Sequence, residues 1–358
     1  MPLPDDIRAA AAAGIVSAEQ AEQLVTFLAA RPTAVAPAVA VPDDAGEEAP
    51  RFVRSFQDVF LTIGIVLLLI GIGVLSNTYL RSFGGFLVGA AVSYFLAIGF
   101  AQRRRLVLPS MALALGFVLF VGLGVTTLLA GSEGTNVFSD AKASAPLFGA
   151  LGAFAAALAF FLSFRLPFAL GLIAAGGLAI VFVALRMVLG PESFGAIWAP
   201  ALLVSGLLTF AAAMAFDLSD PLRRTLRADN AFWLHLVAAP MIVHAVFNIA
   251  VRNARSHFSF EDAIIVLAVV LVLALVALVI DRRALFVSAL SYFGFAIAVL
   301  VPGAGINNSV GIATTLAVTG GVVLALGVGW RSIRGALLAR LPRQGLFLRL
   351  PPVGNPLE

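Results

Sequence analysis

The sequence predicts an all-α fold, a polytopic bundle of about ten transmembrane helices in a membrane. Of its 358 residues, 61% are hydrophobic and only 12% are charged, and the mean hydropathy is +1.04. A soluble domain of this length needs more charge to cover its surface. The apolar excess must therefore face lipid, in helices of roughly 20 residues each. The apolar residues also fall into separate runs, and the basic residues collect between alternate runs.

Residues 1–30 predict a small cytoplasmic helical hairpin. Gly14 stands where a C-terminal cap would end the first helix, and Ser17 with Gln20 forms a capping-box pattern for the second. One face of the second helix is apolar, since its nonpolar residues recur at helical spacing. These residues are Ala21, Leu24, Val25 and Leu28. A hairpin this small buries little surface alone, so we expect it to fold back on the membrane domain, to pair with another copy, or to bind a partner protein.

Residues 31–55 are rich in Ala and Pro, show no periodicity and predict a flexible linker. The transmembrane domain that follows, residues 56–330, contains ten apolar runs. They lie at approximately 56–76, 83–101, 107–130, 145–164, 167–189, 196–216, 231–250, 262–280, 284–301 and 309–330. No cleavable signal peptide is apparent before the first run. We therefore expect the first span to serve as its own insertion signal.

The 23 basic residues predict the orientation of the chain. With ten spans and a cytoplasmic N-terminus, eighteen of them fall on the cytoplasmic side, four fall outside, and Arg186 lies within a span. An excess of arginine in short cytoplasmic loops is the positive-inside pattern of membrane proteins. We therefore predict a multi-pass protein of the bacterial inner membrane with both termini in the cytoplasm. The same pattern accounts for the net charge of +4 without a nucleic-acid partner.

Residues 331–358 predict a basic amphipathic helix followed by a Pro-rich tail. Arg331, Arg334 and Arg340 fall on one side of this helix and its apolar residues on the other. The apolar residues are Ile333, Leu337, Leu338 and Leu341. We expect the three arginines to contact the phosphates of anionic membrane lipids. The alternative is a helix that docks onto a protein partner.

Four stretches of the chain resemble the DUF2157 family of uncharacterised bacterial membrane proteins. They are GIVSAEQAEQLVTFLAA before the first span, AFWLHLVAAPMIVHAVFN in the seventh, DRRALFVSALSYFG at the ninth, and GWRSIRGALLARLP with LRLPP at the C-terminal end. Their order along one polytopic chain is more specific than any stretch alone. The resemblance implies a multi-span bacterial membrane protein with a soluble N-terminal helical segment, and it implies no established activity.

The seventh run contains the densest set of polar residues in the apolar region. His244, Asn248 and Pro240 fall on one helical face, whereas His235 falls on the opposite face. A proline inside a helix leaves a backbone carbonyl without its donor, and transporters build midplane sites from such carbonyls and polar side chains. The alternative is that His244 and Asn248 hydrogen-bond to neighbouring helices as packing contacts. We expect His235, beside Trp233, to act as an interfacial anchor.

Other charged residues fall near the ends of the apolar runs. Arg186 precedes the outer end of the fifth run, and we expect its long side chain to reach the interface. The alternative is an anion-binding or counter-ion role in an internal cavity, with Glu192 as a partner. Asp58, Asp217 and Asp281 lie beside arginines at the cytoplasmic ends of runs, and we expect interfacial charges there. The runs carry no carboxylate near their middle, which argues against a proton pump.

Paired glycines in several runs predict close approach between helices, because a missing side chain lets two backbones come together. The pairs are Gly71 with Gly73, Gly85 with Gly89, Gly176 with Gly177, and Gly320 with Gly321. The fifth and tenth runs also share an AGG or TGG centre. This leaves open a repeat of five plus five spans, which would be inverted in topology.

Several chemistries are excluded by the residues present. The chain has no cysteine, so disulfides, iron–sulfur clusters and thiolate metal sites are excluded. Its lysine, Lys142, is flanked by alanines, so there is no phosphate-loop motif, and neither H-E-x-x-H nor G-x-S-x-G occurs. With three histidines in the chain, we expect no metal site and no bound cofactor.

Two functions remain open. The first is a non-enzymatic membrane protein, acting as a scaffold, an assembly factor or a sensor, whose N-terminal hairpin contacts a partner. The second is a secondary transporter or permease with a central site around His244, Asn248 and Pro240, together with Arg186. An intramembrane enzyme is a third and weaker alternative. A water-accessible cavity lined by His244 and Asn248 would favour transport, whereas spans packed tightly to their centre would favour the scaffold.

Overall fold

The structure is a computed structural model that describes Ile7 and residues 11–30, 56–80, 83–130, 144–221, 223, 225–251, 260–283, 285–286, 290, 293–294, 296–297 and 308–340. Helices account for 92% of these residues, and no strand occurs among them. The predicted all-α class is confirmed for this part of the chain. The predicted linker, most of the ninth run and the tail beyond residue 340 lie outside the described residues.

The chain divides into an N-terminal unit that ends at Glu47 and a larger unit that follows it. In the N-terminal unit, helix α1 spans Ala18–Ala30. Its capping box forms as predicted, because the backbone N of Ser17 donates to Oε1 of Gln20 (3.0 Å) and the backbone N of Gln20 donates to Oγ of Ser17 (3.1 Å). Gly14 has a φ of +71°, the left-handed conformation expected of a C-terminal cap. The preceding helix lies mostly outside the described residues.

The larger unit contains eight described helices. They are α2 (Phe56–Leu75), α3 (Phe83–Ala97), α4 (Val107–Ala130), α5 (Ala145–Phe164), α6 (Phe168–Ser219), α7 (Leu226–Val251), α8 (Phe260–Ile280) and α9 (Asn308–Leu338). A π-helical segment continues α2 (Ser76–Leu80) and another continues α3 (Ile98–Arg103). With these segments included, all of the helices except α8, seven in total, are long and apolar enough to cross a membrane, and α8 contains a shorter apolar stretch, Ile264–Ile280. Large apolar side chains such as Val188 and Val328 are exposed, as contact with lipid requires.

Helix α6 contains a sharp break that divides it into two halves. As one straight helix its 52 residues would extend about 78 Å, against a hydrocarbon core of about 30 Å. Gly190 adopts φ +77° and ψ 167°, outside the helical region, and Pro191 follows it. Phe182 and Phe194, on opposite sides of the break, have ring centroids only 5.7 Å apart. The second half therefore returns beside the first, and the two halves correspond to the fifth and sixth predicted runs.

Helices α2, α3 and α5 all contact α4, which lies between them. Leu113 and Ala114 of α4 are completely buried. Around them, Leu69 of α2, Phe86 of α3 and Phe160 of α5 belong to the same apolar cluster. The first four spans are thus held by one continuous apolar core, as expected for helices whose faces are nonpolar on nearly every side.

Glycines allow some of these helices to approach closely, as predicted. A Cβ added to Gly89 of α3 would lie 2.7 Å from the ring of Phe120, so only a glycine fits against that ring. Gly176 of α6 lies against Phe154 of α5, with 3.3 Å between the added Cβ and the Phe154 backbone. Gly320 of α9 differs, because a Cβ there would meet nothing within 4 Å. Of the predicted glycines, Gly89 and Gly176 thus lie in tight contacts, whereas an added Cβ on Gly71, Gly320 or Gly321 would meet no described atom within 4 Å.

Helix α7 packs against both halves of α6 and also contacts α8, and α8 contacts α9. Leu178 from the first half of α6 and Leu202 from the second lie in one apolar cluster with Met241 and Ala245 of α7. A second cluster joins the ends of α8 and α9 through Leu278 and Trp330, among other residues. This arrangement brings the end of α6, the start of α7 and the ends of α8 and α9 together.

Candidate functional site

Buried charged residues collect where α6 and α8 end and α7 begins. Asp217, Asp220, Arg282 and Arg334 expose only 6%, 9%, 2% and 3% of their surface. An isolated charge is costly to bury, so such groups persist only when they are paired and hydrogen-bonded. Asp217, Arg282 and Arg334 belong to two adjoining groups, which we name after the aspartates at their centres. Asp220 belongs to a third group at the start of α7.

The Asp217 cluster consists of Asp217, His235 and Arg282. Nε of Arg282 lies 3.1 Å from Oδ1 and 3.0 Å from Oδ2 of Asp217, and Nη2 of the same guanidinium also donates to Oδ1. Nε2 of His235 lies 2.9 Å from Oδ2 of Asp217. Since an ionised carboxylate can only accept hydrogen bonds, Nε2 is the donor in this contact. Nη2 of Arg282 also donates to the carbonyl of Ala228 (3.2 Å), so the cluster ties α6, α7 and the end of α8 together.

The Asp281 cluster consists of Asp281, Arg223, Trp330 and Arg334. Nε1 of Trp330 donates to Oδ1 of Asp281 (2.7 Å), and Nη1 of Arg223 donates to Oδ2 (3.3 Å). Nε of Arg334 lies 3.8 Å from Oδ1 and donates to the carbonyl of Leu278 (3.1 Å). Nη2 of Arg223 donates to the backbone carbonyl of Asp281 (2.7 Å). This cluster therefore joins α8, α9 and the connection between α6 and α7.

The two clusters meet at adjacent residues, because Asp281 and Arg282 follow the last residue of α8. Asp281 has a φ of +57°, in the left-handed region. The backbone N of Arg282 donates to the carbonyl of Ala277 (2.8 Å), which is the hydrogen bond of a Schellman C-terminal cap. The tight turn sends the Asp281 side chain towards α9 and the Arg282 side chain towards α6 and α7. One helix end thus serves both clusters.

A third group of polar contacts fixes the start of α7. Oδ2 of Asp220 accepts hydrogen bonds from the backbone N and from Oγ1 of Thr225, at 2.8 and 2.7 Å. Oγ1 of Thr225 in turn accepts from the backbone N of Arg227 (3.2 Å), as an N-terminal cap does. The short connection between α6 and α7 is held by these bonds, and His235 is thereby positioned opposite Asp217.

Chemically, the Asp217 cluster is an ion pair that is sealed from solvent. Arg282 supplies a permanent positive charge, and both carboxylate oxygens of Asp217 accept bonds from protein donors. The imidazole of His235 is completely buried and packs edge-on against Phe210, with ring centroids 5.2 Å apart. With its carboxylate occupied in this way, the cluster holds helices together rather than presenting a base or a nucleophile to a substrate.

The structure corrects the expectation that His235 is an interfacial anchor. Its side chain is 0% exposed and bonds to Asp217. Asp217 and Asp281 are likewise predicted to be interfacial charges. Asp217 is instead buried against Arg282 and His235, whereas Asp281, with 18% of its side chain exposed, accepts the partly buried hydrogen bonds just described. The same physical reason applies to all three residues. A charged or polar side chain can lie between apolar helices when an oppositely charged or hydrogen-bonding group from another helix contacts it. Asp58 is also buried, at 3% exposure, and the described residues do not include its neighbouring arginine at position 54.

The structure also corrects the placement of Arg334. We predicted that it faces lipid together with Arg331 and Arg340, both of which are exposed. Arg334 instead turns inward and is 3% exposed, because it shares a helix face with Trp330, four residues earlier. The spacing of the three arginines in the sequence places them on one side of the helix. In the structure Arg334 alone is drawn inward, because it contacts the Asp281 carboxylate and the Leu278 carbonyl. A lipid contact remains an expectation for Arg331 and Arg340 alone.

The other predicted site residues lie away from these clusters along α6 and α7. His244 is exposed and lies beside Trp198 of α6, with ring centroids 5.7 Å apart. Nδ2 of Asn248 donates to the carbonyl of His244 on the same helix (2.7 Å). Pro240 is exposed and α7 continues through it. Arg186 is exposed in the first half of α6, close to the break at Gly190.

A cavity of about 710 Å³ opens at the same end of the bundle as the buried charges. Its walls come from the end of α5, the end of α6 and the start of α7, and we call it the α5–α7 cavity. The residues that line it are Phe161, Leu162, Arg165, Ser219, Thr225, Leu226, Arg227 and Asn230. Neither His244 nor Asn248 is among them, so the predicted central residues do not line this cavity.

Sequence reasoning missed the pairing of Asp217 with Arg282. The two residues are 65 positions apart and no helical periodicity links them. One signal was present, since both residues stand at the ends of apolar runs that we assign to the same side of the membrane. Opposite charges in that position are natural partners. Among the described residues, no group of three or more His, Cys, Asp or Glu side chains could hold a metal ion.

A comparison with known family models, with curated proteins and with solved structures finds no match to this chain.

Proposed function

We propose that this chain is a ten-span integral membrane protein of the bacterial inner membrane that acts as a non-enzymatic scaffold. In this role it presents its N-terminal helical segment in the cytoplasm to a partner protein or to a second copy. The observation that supports the proposal best is the Asp217 cluster. Its charged groups bond to one another and thereby join α6, α7 and the end of α8, as expected of a rigid framework. A proton relay would instead need carboxylates that exchange protons with water.

The tight packing between α7 and α8 also supports a scaffold. Val243 of α7 and Val266 and Val270 of α8 are buried against one another, at 2–3% exposure. The side-chain amide of Asn248 donates a hydrogen bond to the backbone carbonyl of His244 on the same helix. A water-accessible site at this depth would need unfilled space beside such polar groups. The α5–α7 cavity, with its arginines, lies at the end of the bundle instead.

The number of spans and their orientation belong to the same proposal. The seven apolar helices, the division of α6 at Gly190, the apolar stretch of α8 and the run at 284–301 add up to ten crossings. The distribution of arginines favours cytoplasmic termini. The resemblance to DUF2157 proteins agrees with this layout, and membership of that family is part of the proposal.

A secondary transporter is the alternative, and one observation favours it. His244 is exposed beside Trp198 on a helix that also carries Pro240, and α6 is broken nearby at Gly190. Broken helices with polar side chains at their breaks are how many transporters bind their substrates. In this reading, His244 and Asn248 bind the solute and Arg186 balances its charge.

The experiment that separates the two functions combines crosslinking with flux. A photoreactive amino acid at Glu22, which is exposed on α1, should crosslink a partner protein or a second copy in cells. The same probe at Glu192, which is exposed near the break in α6, is the matched control and should give no such product. Purified protein in proteoliposomes should move protons, sodium and chloride no faster than empty liposomes. Flux that is lost in the double variant His244→Ala, Asn248→Ala would instead establish the transporter.

A further inference from the structure

The α5–α7 cavity has two chemically different walls. Its polar wall carries Arg165 and Arg227 together with the hydroxyl groups of Ser219 and Thr225. Its apolar wall is formed mainly by Leu162 and Leu226, which are 67% and 58% exposed, and by Phe161. A site of this kind suits a molecule that has an anionic group at one end and a hydrocarbon chain at the other.

The two arginines are held in place by their backbones. Arg165 follows the last residue of α5 in a left-handed conformation, φ +50°, and its backbone N donates to the carbonyl of Phe161 (2.7 Å). Arg227 lies in the first turn of α7, where its backbone N is bound by the capping Thr225. The helix N-terminus adds positive potential at the same place. The backbone positions from which both arginine side chains reach this cavity are therefore fixed by the ends of α5 and α7.

Among the residues that the structure describes, no side chain forms an ion pair or hydrogen bond with the guanidinium of Arg165 or Arg227. This distinguishes them from the buried arginines Arg282 and Arg334, which pair with Asp217 and Asp281, respectively. Two like charges beside one cavity repel each other unless an anion lies between them. Arginine guanidinium is also well matched to phosphate oxygens, because it donates two parallel hydrogen bonds.

We propose that the α5–α7 cavity is a binding site for an anionic phospholipid. Arg165 and Arg227 bind the lipid phosphate, and one acyl chain lies along Leu162 and Leu226. A lipid is favoured over a soluble phosphate, because these leucines are exposed at the end of spans whose outer faces are also apolar. The site goes beyond the scaffold role and does not depend on it, because a transporter with the same spans would keep the same cavity.

The test uses native mass spectrometry of the full-length protein released from lipid nanodiscs. Nanodiscs containing equal amounts of phosphatidylglycerol and phosphatidylcholine provide the anionic and neutral probes. We expect the unmodified protein to retain phosphatidylglycerol preferentially. The double variant Arg165→Gln, Arg227→Gln should lose that preference by about fivefold or more, the effect expected for even one arginine near an anionic lipid. The matched control, Arg103→Gln with Arg105→Gln, removes two exposed arginines from the same predicted side, neither of which lines the cavity, and should retain it.

Each result supports or overturns the site. Equal retention by the cavity variant and the unmodified protein would overturn it, and so would an equal loss in the control variant, because general surface charge would then explain the binding. Millimolar inorganic phosphate that displaces phosphatidylglycerol completely would show that the cavity takes free phosphate instead of lipid. Should the double variant fail to fold, the single variants Arg165→Gln and Arg227→Gln each provide the same comparison, with an expected loss of about fivefold.

Discussion

Asp217 shows how a single acidic residue can be kept at the end of an apolar helix. Its carboxylate accepts from the guanidinium of Arg282 and from the imidazole of His235, and it is 6% exposed. Removing one partner of such a pair leaves the other charged and buried, which costs more than the pair itself contributes. The stability of this end of the bundle therefore depends on both partners being present together.

The substitution Asp217→Asn should destabilise the protein by about 3–5 kcal/mol, because the Arg282 charge would remain buried without its counter-charge. Thermal unfolding of the purified protein in detergent measures the change. Glu192→Gln is the matched control, since it makes the same carboxylate-to-amide change at an exposed position of the same helix. An unfolding temperature equal to that of the control would contradict a structural role for the pair.

Replacing both partners should restore much of the loss. In the double variant Asp217→Leu, Arg282→Met no buried charge is left unpaired, and buried ion pairs exchanged for apolar residues of similar volume are often neutral in stability. We therefore expect it to unfold at a higher temperature than Asp217→Asn, in the same thermal assay. A double variant that unfolds at a lower temperature than Asp217→Asn would contradict this account, because the unpaired Arg282 charge would then not be the main cause of the loss.

At the scale of the element, the C-terminal end of α8 combines a strained backbone with essential side-chain bonds. Asp281 is left-handed, a conformation that costs most residues about 1–2 kcal/mol relative to glycine. Asp281→Ala removes the side-chain bonds and keeps a strained left-handed residue, whereas Asp281→Gly removes the same bonds and relieves the strain. We expect both variants to be less stable than the natural protein, and the glycine variant to be the better of the two by about 1 kcal/mol. Chemical unfolding in detergent tests the order, and equal stabilities would contradict the left-handed turn.

The contact of α3 with α4 gives a second prediction for an element. Gly89→Ala should destabilise the bundle, because the new methyl group would lie 2.7 Å from the ring of Phe120 and overpacking of this kind typically costs about 1–3 kcal/mol. Gly320→Ala is the control, because the added Cβ would meet nothing within 4 Å. Combining Gly89→Ala with Phe120→Leu should recover part of the loss. Equal unfolding temperatures for Gly89→Ala and Gly320→Ala would refute the close packing at Gly89.

The elements of this fold that depend only on residues close together in the sequence could be predicted. The apolar runs gave α2 to α5 with bounds that differ by a few residues, and the capping pattern at Ser17 and Gln20 forms as expected. The break at Gly190 was also visible, since the apolar pattern stops and restarts around it. The burial of His235 and Arg334 was not, because it depends on partners from other helices that no local pattern records.

At the scale of the whole molecule, the absence of cysteine makes the topology directly testable. Single cysteines at Glu22, Ser139 and Glu192 can be labelled with a membrane-impermeant maleimide in intact spheroplasts. With ten spans and cytoplasmic termini, Ser139→Cys and Glu192→Cys should react, and Glu22→Cys should react only after the cells are lysed. Labelling of Glu22→Cys in intact spheroplasts would reverse the orientation, and a protected Glu192→Cys would mean that α6 does not turn at the outer surface.

The same whole-molecule view explains what the sequence left undecided about the site. Composition and the arginine count depend on sums over the chain and not on how the helices are arranged. Composition predicts the membrane class, with which the seven long apolar helices agree, and the arginine count predicts an orientation that stays a prediction. The choice of which polar residues meet depends on how the helices are arranged. For Asn248 the sequence leaves open a central site or a hydrogen bond to a neighbouring helix, and the structure shows a bond to its own helix at His244. Arg165 and Arg227, which the sequence alone places in loops, border a cavity.

The distance along the chain between Asp217 and Arg282 has a consequence for biosynthesis. The carboxylate leaves the ribosome 65 residues before its guanidinium partner, a delay of about 3–13 seconds at 5–20 residues per second. During that interval the sixth run enters the lipid with an aspartate whose counter-charge has not yet been made. Ribosome-arrested chains that stop short of Arg282 should therefore leave Asp217 at the headgroup region. The end of α8 docks onto α6 and α7 only after both have been inserted, and α9, whose Trp330 and Arg334 bond to Asp281 and Leu278, docks after it.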